Sequence, residues 1–203
     1  MDMWYSEDCK IVLYPCANNK TINFVRIHPA HLSAASDGYN TSASKALLLE
    51  IFGNFEPRVL AMLDKADPAT VKVYPLFDMY SLPTFVRGRL ALIGDAAHPF
   101  LPHLAQGGAM AIDDGVALGV MLSKASSGDV PSRLQLYNDA RYSRATVIQN
   151  YTRIVGGDGI KDAEATAEKL SLNEYLEYPL GHDEHVASSE LLKPILAREP
   201  GPG

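Results

Sequence analysis

At 203 residues the chain has material for one sizeable core, or for a domain and part of another. Its 47% hydrophobic and 21% charged residues are the make-up of an ordinary soluble protein, and a net charge of -6 argues against a nucleic-acid partner, which needs clustered Lys and Arg. No run nears the roughly 18 apolar residues of a membrane span. The opening Met1-Asp2-Met3-Trp4 has no basic start or apolar stretch of a secretory signal, so a cytoplasmic protein is expected.

In chain order, Lys10–Pro15 and Thr21–Ile27 are short β-rich runs, and the Asn18-Asn19 pair between them suits a turn. They predict a β-hairpin, which needs further strands or a covering helix to be stable in water. From Ser44 to about Leu63 the apolar spacing of Leu47, Leu48, Ile51, Phe52 and Phe55 predicts helix, broken near Phe55-Glu56 by Pro57. Val71–Leu76 predicts another strand. Arg89-Leu90-Ala91-Leu92-Ile93-Gly94 is nearly all apolar and reads as a strand buried on both faces. Helices are predicted over Gly107–Ser123, over Arg133–Val155 with Gly156-Gly157 as its stop, and more weakly over 162–176. The tail 199–203 is expected to be disordered.

Cys9 and Cys16 are the only cysteines and are expected to be reduced thiols. The close pairs His28/His31 and His182/His185 lack the further ligands of a metal site, so no metal is expected.

The chemistry concentrates between Gly88 and Gly115. The predicted strand delivers Asp95 just beyond Gly94, at the strand end where open α/β sheets bind ligands. A carboxylate there can accept hydrogen bonds from ligand hydroxyls, although it can equally cap a helix. Gln106-Gly107-Gly108 then opens a helix whose free N–H groups favour an anion. Ala111, Gly115 and Gly119 recur every four residues and form a smooth face, suited to close approach by another backbone.

In this order, Gly94-Asp95-Ala96-Ala97-His98-Pro99, the Gly-rich turn and Ala111-Ile112-Asp113-Asp114 resemble the second FAD-binding motif of the class A flavoprotein monooxygenases, the salicylate-hydroxylase-like enzymes. The likeness extends from about residue 10 to 155, taking in Tyr74-Pro75-Leu76 and Leu134, Tyr137, Arg141 and Arg144 on the later helix. It implies an α/β fold: a partial Rossmann-like FAD-binding domain joined to part of an antiparallel substrate-domain sheet. Residues 1–85 would be the substrate-domain remnant, 86–158 the C-terminal part of the FAD domain, and 159–203 a helical extension and tail.

The resemblance also implies roles. Gly94 and Asp95 would bind the ribityl part of FAD, and Gly107, Gly108 and Ala109 would offer N–H groups to the flavin pyrimidine edge. Asp114 would brace the helix, and Pro99 would lie beside the isoalloxazine near the reaction site, which makes Pro99 and His98 the catalytic candidates. His98 and His103 invite comparison with catalytic bases, but His98 is expected to be structural or to line the flavin site. The implied activity is hydroxylation of a small aromatic or polyketide-like substrate with NAD(P)H and O2.

The family's GxGxxG unit and the acidic ribose anchor about 20 residues after it are not found in the sequence. Asp37-Gly38 falls in the wrong order to be its second Asp-Gly element. The chain is therefore expected to hold FAD weakly alone, as a truncated or split protein with a partner chain supplying the N-terminal half. Two other classes remain open: a non-catalytic remnant, and a cofactor-free cyclase or isomerase that reuses the substrate pocket.

Overall fold

The computed structural model describes residues 1–33, 41–156 and 177–197. They fall into two compact units, Met1–Leu76 and Phe77–Gly203. The predicted weak helix over 162–176, the tail, Asp37-Gly38 and Gly157 lie outside the described residues.

The first unit is built on the expected hairpin. Strand β2 (Lys10–Cys16) pairs antiparallel with β3 (Thr21–Ile27), with Leu13 opposite Phe24. Ala17, Asn18 and Asn19 all take positive φ in the turn, a conformation that Asn tolerates better than most residues. The further strand that the hairpin needs is β1 (Asp2–Tyr5), with Trp4 opposite Ile11. Its alternation is too short to register as a strand in the sequence.

Helices α1 (Lys45–Ile51) and α2 (Pro57–Leu63) break where Pro57 dictates. Ser44 caps the first through Leu47 N–H, and Pro57 opens the second. Ile11, Leu48, Phe52, Val59 and Leu63 close the core, and the Trp4 indole donates to Glu56 at 3.0 Å. The strand expected over Val71–Leu76 pairs only as β5 (Lys72–Val73), against β4 (Thr41–Ser42). Pro75 has no N–H to donate, and its partner strand is two residues long.

The second unit is mainly helical. Helix α3 (Gly107–Met121) packs against α4 (Val130–Gly156) and against α5 (Glu184–Leu196). Asp183 caps α5 through Val186 N–H at 3.0 Å. Phe85, Ala117, Met121, Tyr137, Ala145 and Leu192 form the core. Residues 77–85 bond to α4: Arg153 forks onto Asp78, Ser81 donates to Gln149, and Asn138 accepts from Phe85 N–H.

One expectation is corrected. The apolar run Arg89–Gly94 is not buried on both faces. It pairs only as β7 (Leu90–Ala91) with β6 (Val86–Arg87), leaving Leu90 59% and Ile93 46% exposed. Double burial requires strands on both sides and a cover on each face, and the described residues supply one two-residue neighbour.

Candidate functional site

The motif residues form a turn held at both ends by buried side chains. Tyr137, fully buried on α4, donates its hydroxyl to Leu92 O at 2.8 Å and fixes the end of the apolar run. The chain then enters a 3-10 turn, Gly94–Ala96, in which Ala97 N and His98 N both donate to Gly94 O at 2.9 Å. Gly94 has φ +54°, and a Cβ added there would come within 3.3 Å of Ala111 Cβ. Both the left-handed backbone and the approach of α3 require glycine.

Asp114 is fully buried in the middle of α3. Its Oδ2 accepts from Gly94 N and faces His98 Nε2, each at 2.8 Å, and its Oδ1 accepts from Arg141 Nε at 2.8 Å. Burial works against the charge, but the bonds from His98, Arg141 and Gly94 outweigh it and hold the carboxyl below its usual range. Arg141 is likewise desolvated, yet Asp114 and Glu184 keep its guanidinium more firmly protonated than usual. Next door, burial raises the Asp113 carboxyl despite Arg141 and Arg144 nearby. Two adjacent acids are thus pushed in opposite directions, Asp114 down by the hydrogen bonds it receives and Asp113 up by burial.

The expected site residues are therefore placed as follows. Gly94, His98 and Asp114 share one hydrogen-bonded cluster, and Asp114 faces protein on both oxygens. His98 is buried, in ring contact with Phe85 and Phe100. Asp95 is exposed on the same turn. Pro99 is half-buried, and its carbonyl accepts from Gln149 Nε2 at 2.9 Å. Gly107, Gly108 and Ala109 form the first turn of α3, where no side chain caps the N–H groups. Ala105, just before, takes the left-handed conformation at φ 53°. His103 lies in the 3-10 turn Pro102–Leu104. Among the described residues no cluster of three or more His, Cys, Asp or Glu could hold a metal, and no helix is long and apolar enough to cross a membrane.

The sequence did not single out Gln149, Asn138 or Glu184. A signal existed for the wider pattern: Tyr137, Arg141, Arg144 and Ile148 recur at helical spacing on the buried side of α4. Two arginines on an inward face demand acid partners, although nothing in the spacing says which.

An exposed carboxylate on a rigid turn and an uncapped helix start, with open space at the Gly108 Cβ position, suit the hydroxyl-bearing and ring portions of a flavin. Comparison with known proteins agrees. The family model described as FAD binding domain matches residues 13–152. The FAD-dependent monooxygenase cfoG of Aspergillus candidus is 35% identical over 79% of this chain and 37% of its own length. The 3-hydroxybenzoate 6-hydroxylase 1 of Aquipseudomonas alcaligenes is 34% identical over 74% of this chain and 36% of its own. A salicylate hydroxylase substrate complex superposes with a TM-score of 0.72 at 26% identity, covering 95% of this chain and 49% of that one. The chain thus spans little more than a third of the curated relatives and about half of the solved structure. The chain belongs to the FAD binding domain family of the class A flavoprotein monooxygenases.

Proposed function

We propose that this chain supplies the flavin-ring half of the cofactor site of an NAD(P)H- and O2-dependent monooxygenase acting on a small aromatic or polyketide-like substrate. The observation that carries the proposal is the pairing of an exposed Asp95 with an uncapped α3 start on one braced framework. Asp95 would take the ribityl hydroxyls, Gly107, Gly108 and Ala109 the polar edge of the ring, and the Pro99 turn one side of it. When bound, FAD supplies the redox chemistry, and the protein's part is to orient the ring and exclude water. Within this reading His98 acts as a buried prop of the turn, because its Nε2 is committed to Asp114.

The adenosine and pyrophosphate half of FAD needs a phosphate-binding helix start and a ribose anchor, for which the sequence offers no GxGxxG. We propose that the remaining part of the family's length provides them, on the same polypeptide or a partner chain. The exposed Leu90, Ile93 and Ile112 support this reading, since each is an apolar side chain left in water by the described residues.

The test is titration of the purified 203-residue chain with FAD, followed by flavin fluorescence and absorbance. Saturable binding, then NAD(P)H oxidation stimulated by an aromatic acid once the nucleotide-binding part is added, is the expected course. A folded chain that binds no flavin with or without that part would instead be a non-catalytic remnant or a cofactor-free enzyme.

A further inference from the structure

A buried ionic chain crosses the second unit and ends on the motif turn. Arg141, buried on α4, donates through Nε to Asp114 and through Nη1 to Glu184, the first residue of α5. Its Nη2 reaches Met110 O at 3.3 Å. Glu184 is also buried and is bonded by Ser188 Oγ at 2.6 Å and by His182 Nε2 at 3.0 Å. At the far end, Asp114 holds Gly94 N–H and His98.

Apolar packing through Leu192 already docks α5, so a buried carboxylate at its start is an expensive addition if docking were its whole purpose. A competing acceptor explains what the carboxylate does. Asp113 Oδ2 lies 3.6 Å from the same Arg141 Nη1, beside Asp114 in sequence and partly open to solvent. With Nη1 occupied by Glu184, the guanidinium keeps its Nε edge on Asp114. Without that partner, the fork is free to turn toward Asp113 and draw away from Asp114.

We infer that Glu184 is a positioning residue for the Gly94–Pro99 turn: it fixes Arg141, which fixes Asp114, which fixes Gly94 and His98. The value of this to a flavin rests on the function proposed above, but the coupling itself does not. Glu184 lies beyond residues 13–152 that match the family model, so the family motif does not announce it.

The test compares Glu184→Gln with Leu192→Ala in the full chain without flavin, by NMR and amide hydrogen exchange. Glu184→Gln keeps the side-chain shape and removes the charge, while Leu192→Ala loosens the same helix with the carboxylate intact. The inference expects the Gly94 amide proton to shift and its exchange protection to fall about tenfold in Glu184→Gln, as for loss of a charge-assisted bond. Leu192→Ala should affect Gly94 clearly less. Equal responses would mean that α5 merely docks, and an unmoved Gly94 amide would mean that no coupling exists; either overturns the inference. If Glu184→Gln does not fold, Ser188→Ala, which removes one donor to the same carboxylate, is read against Leu192→Ala in the same way. A coupled Gly94 in a chain that never binds FAD would support the inference while sinking the flavin reading.

Discussion

Gln149 holds Pro99 from behind: its amide nitrogen donates to Pro99 O at 2.9 Å, and its amide oxygen accepts from Ser81 Oγ at 3.1 Å. One buried side chain on α4 therefore joins the segment leading into the motif to the segment leaving it. Replacement by Leu keeps similar bulk but leaves the Pro99 carbonyl and the Ser81 hydroxyl unpaired. An unmet buried polar group costs about 1–3 kcal/mol, and each kcal/mol is worth roughly 2–4 °C in a domain of this size. Thermal unfolding of Gln149→Leu should show a fall of that order. An unchanged midpoint would mean that water replaces Gln149 at no cost and that the clamp is incidental.

Asp113 and Asp114 should respond to pH and to mutation with opposite signs. The Asp114 carboxyl is held low in the folded protein, so its contribution is present above its unfolded pKa of about 3.9 and disappears as pH falls through the folded value. The Asp113 carboxyl is raised by burial, so its charge weighs on the fold at neutral pH and that burden lifts on acidification. Asp114→Asn is expected to cost about 3 kcal/mol at pH 7 and to flatten the acid limb of stability below pH about 4, by losing a buried charged partner. Asp113→Asn should be near neutral or slightly stabilising. Urea unfolding across pH 3 to 8 checks both. Similar losses in the two variants would sink the assignment of Asp114 as the committed partner.

The sequence carried the local part of this architecture well. Pro57 set the α1/α2 break, Asn18-Asn19 set the hairpin turn, and Gly107-Gly108 opened α3. Each depends on backbone preferences within a few residues. The brace was less legible, because Asp114 meets Arg141 across 27 positions and Arg141 meets Glu184 across 43. Such pairings follow from helix packing, which spacing along one element does not encode. The apolar run Arg89–Ile93 failed for a related reason: whether both faces of a strand are covered depends on its neighbours, which its own composition does not specify, and among the described residues it has one two-residue partner.

Gly94→Ala should damage the motif turn. The new methyl would force a non-glycine residue into φ +54° and press on Ala111 Cβ at 3.3 Å. The backbone alone costs about 1–2 kcal/mol, and the displaced turn would carry Asp95 with it. The expected result is a lower unfolding midpoint together with weakened FAD binding. Stability lost with flavin affinity intact would separate the turn from the cofactor and count against Asp95 as the ribityl anchor.

The smooth face of α3 tests whether a nucleotide-binding part packs on this chain. A Cβ at Gly115 or at Gly119 meets nothing within 4 Å, and Ile112 is 70% exposed. In the isolated chain, Gly115→Ala replaces a poor helix former at an unhindered position and should add up to about 1 kcal/mol of stability. Ile112→Lys should cost nothing and reduce self-association at high concentration. If the nucleotide-binding part packs on this face, both substitutions should weaken FAD binding once that part is present, because the first fills the space its backbone needs and the second buries a charge. Urea midpoints and FAD titration with and without the added part make the comparison. Stabilisation that persists, with affinity unchanged when the nucleotide-binding part is present, would show that the face stays in water and that this part packs elsewhere.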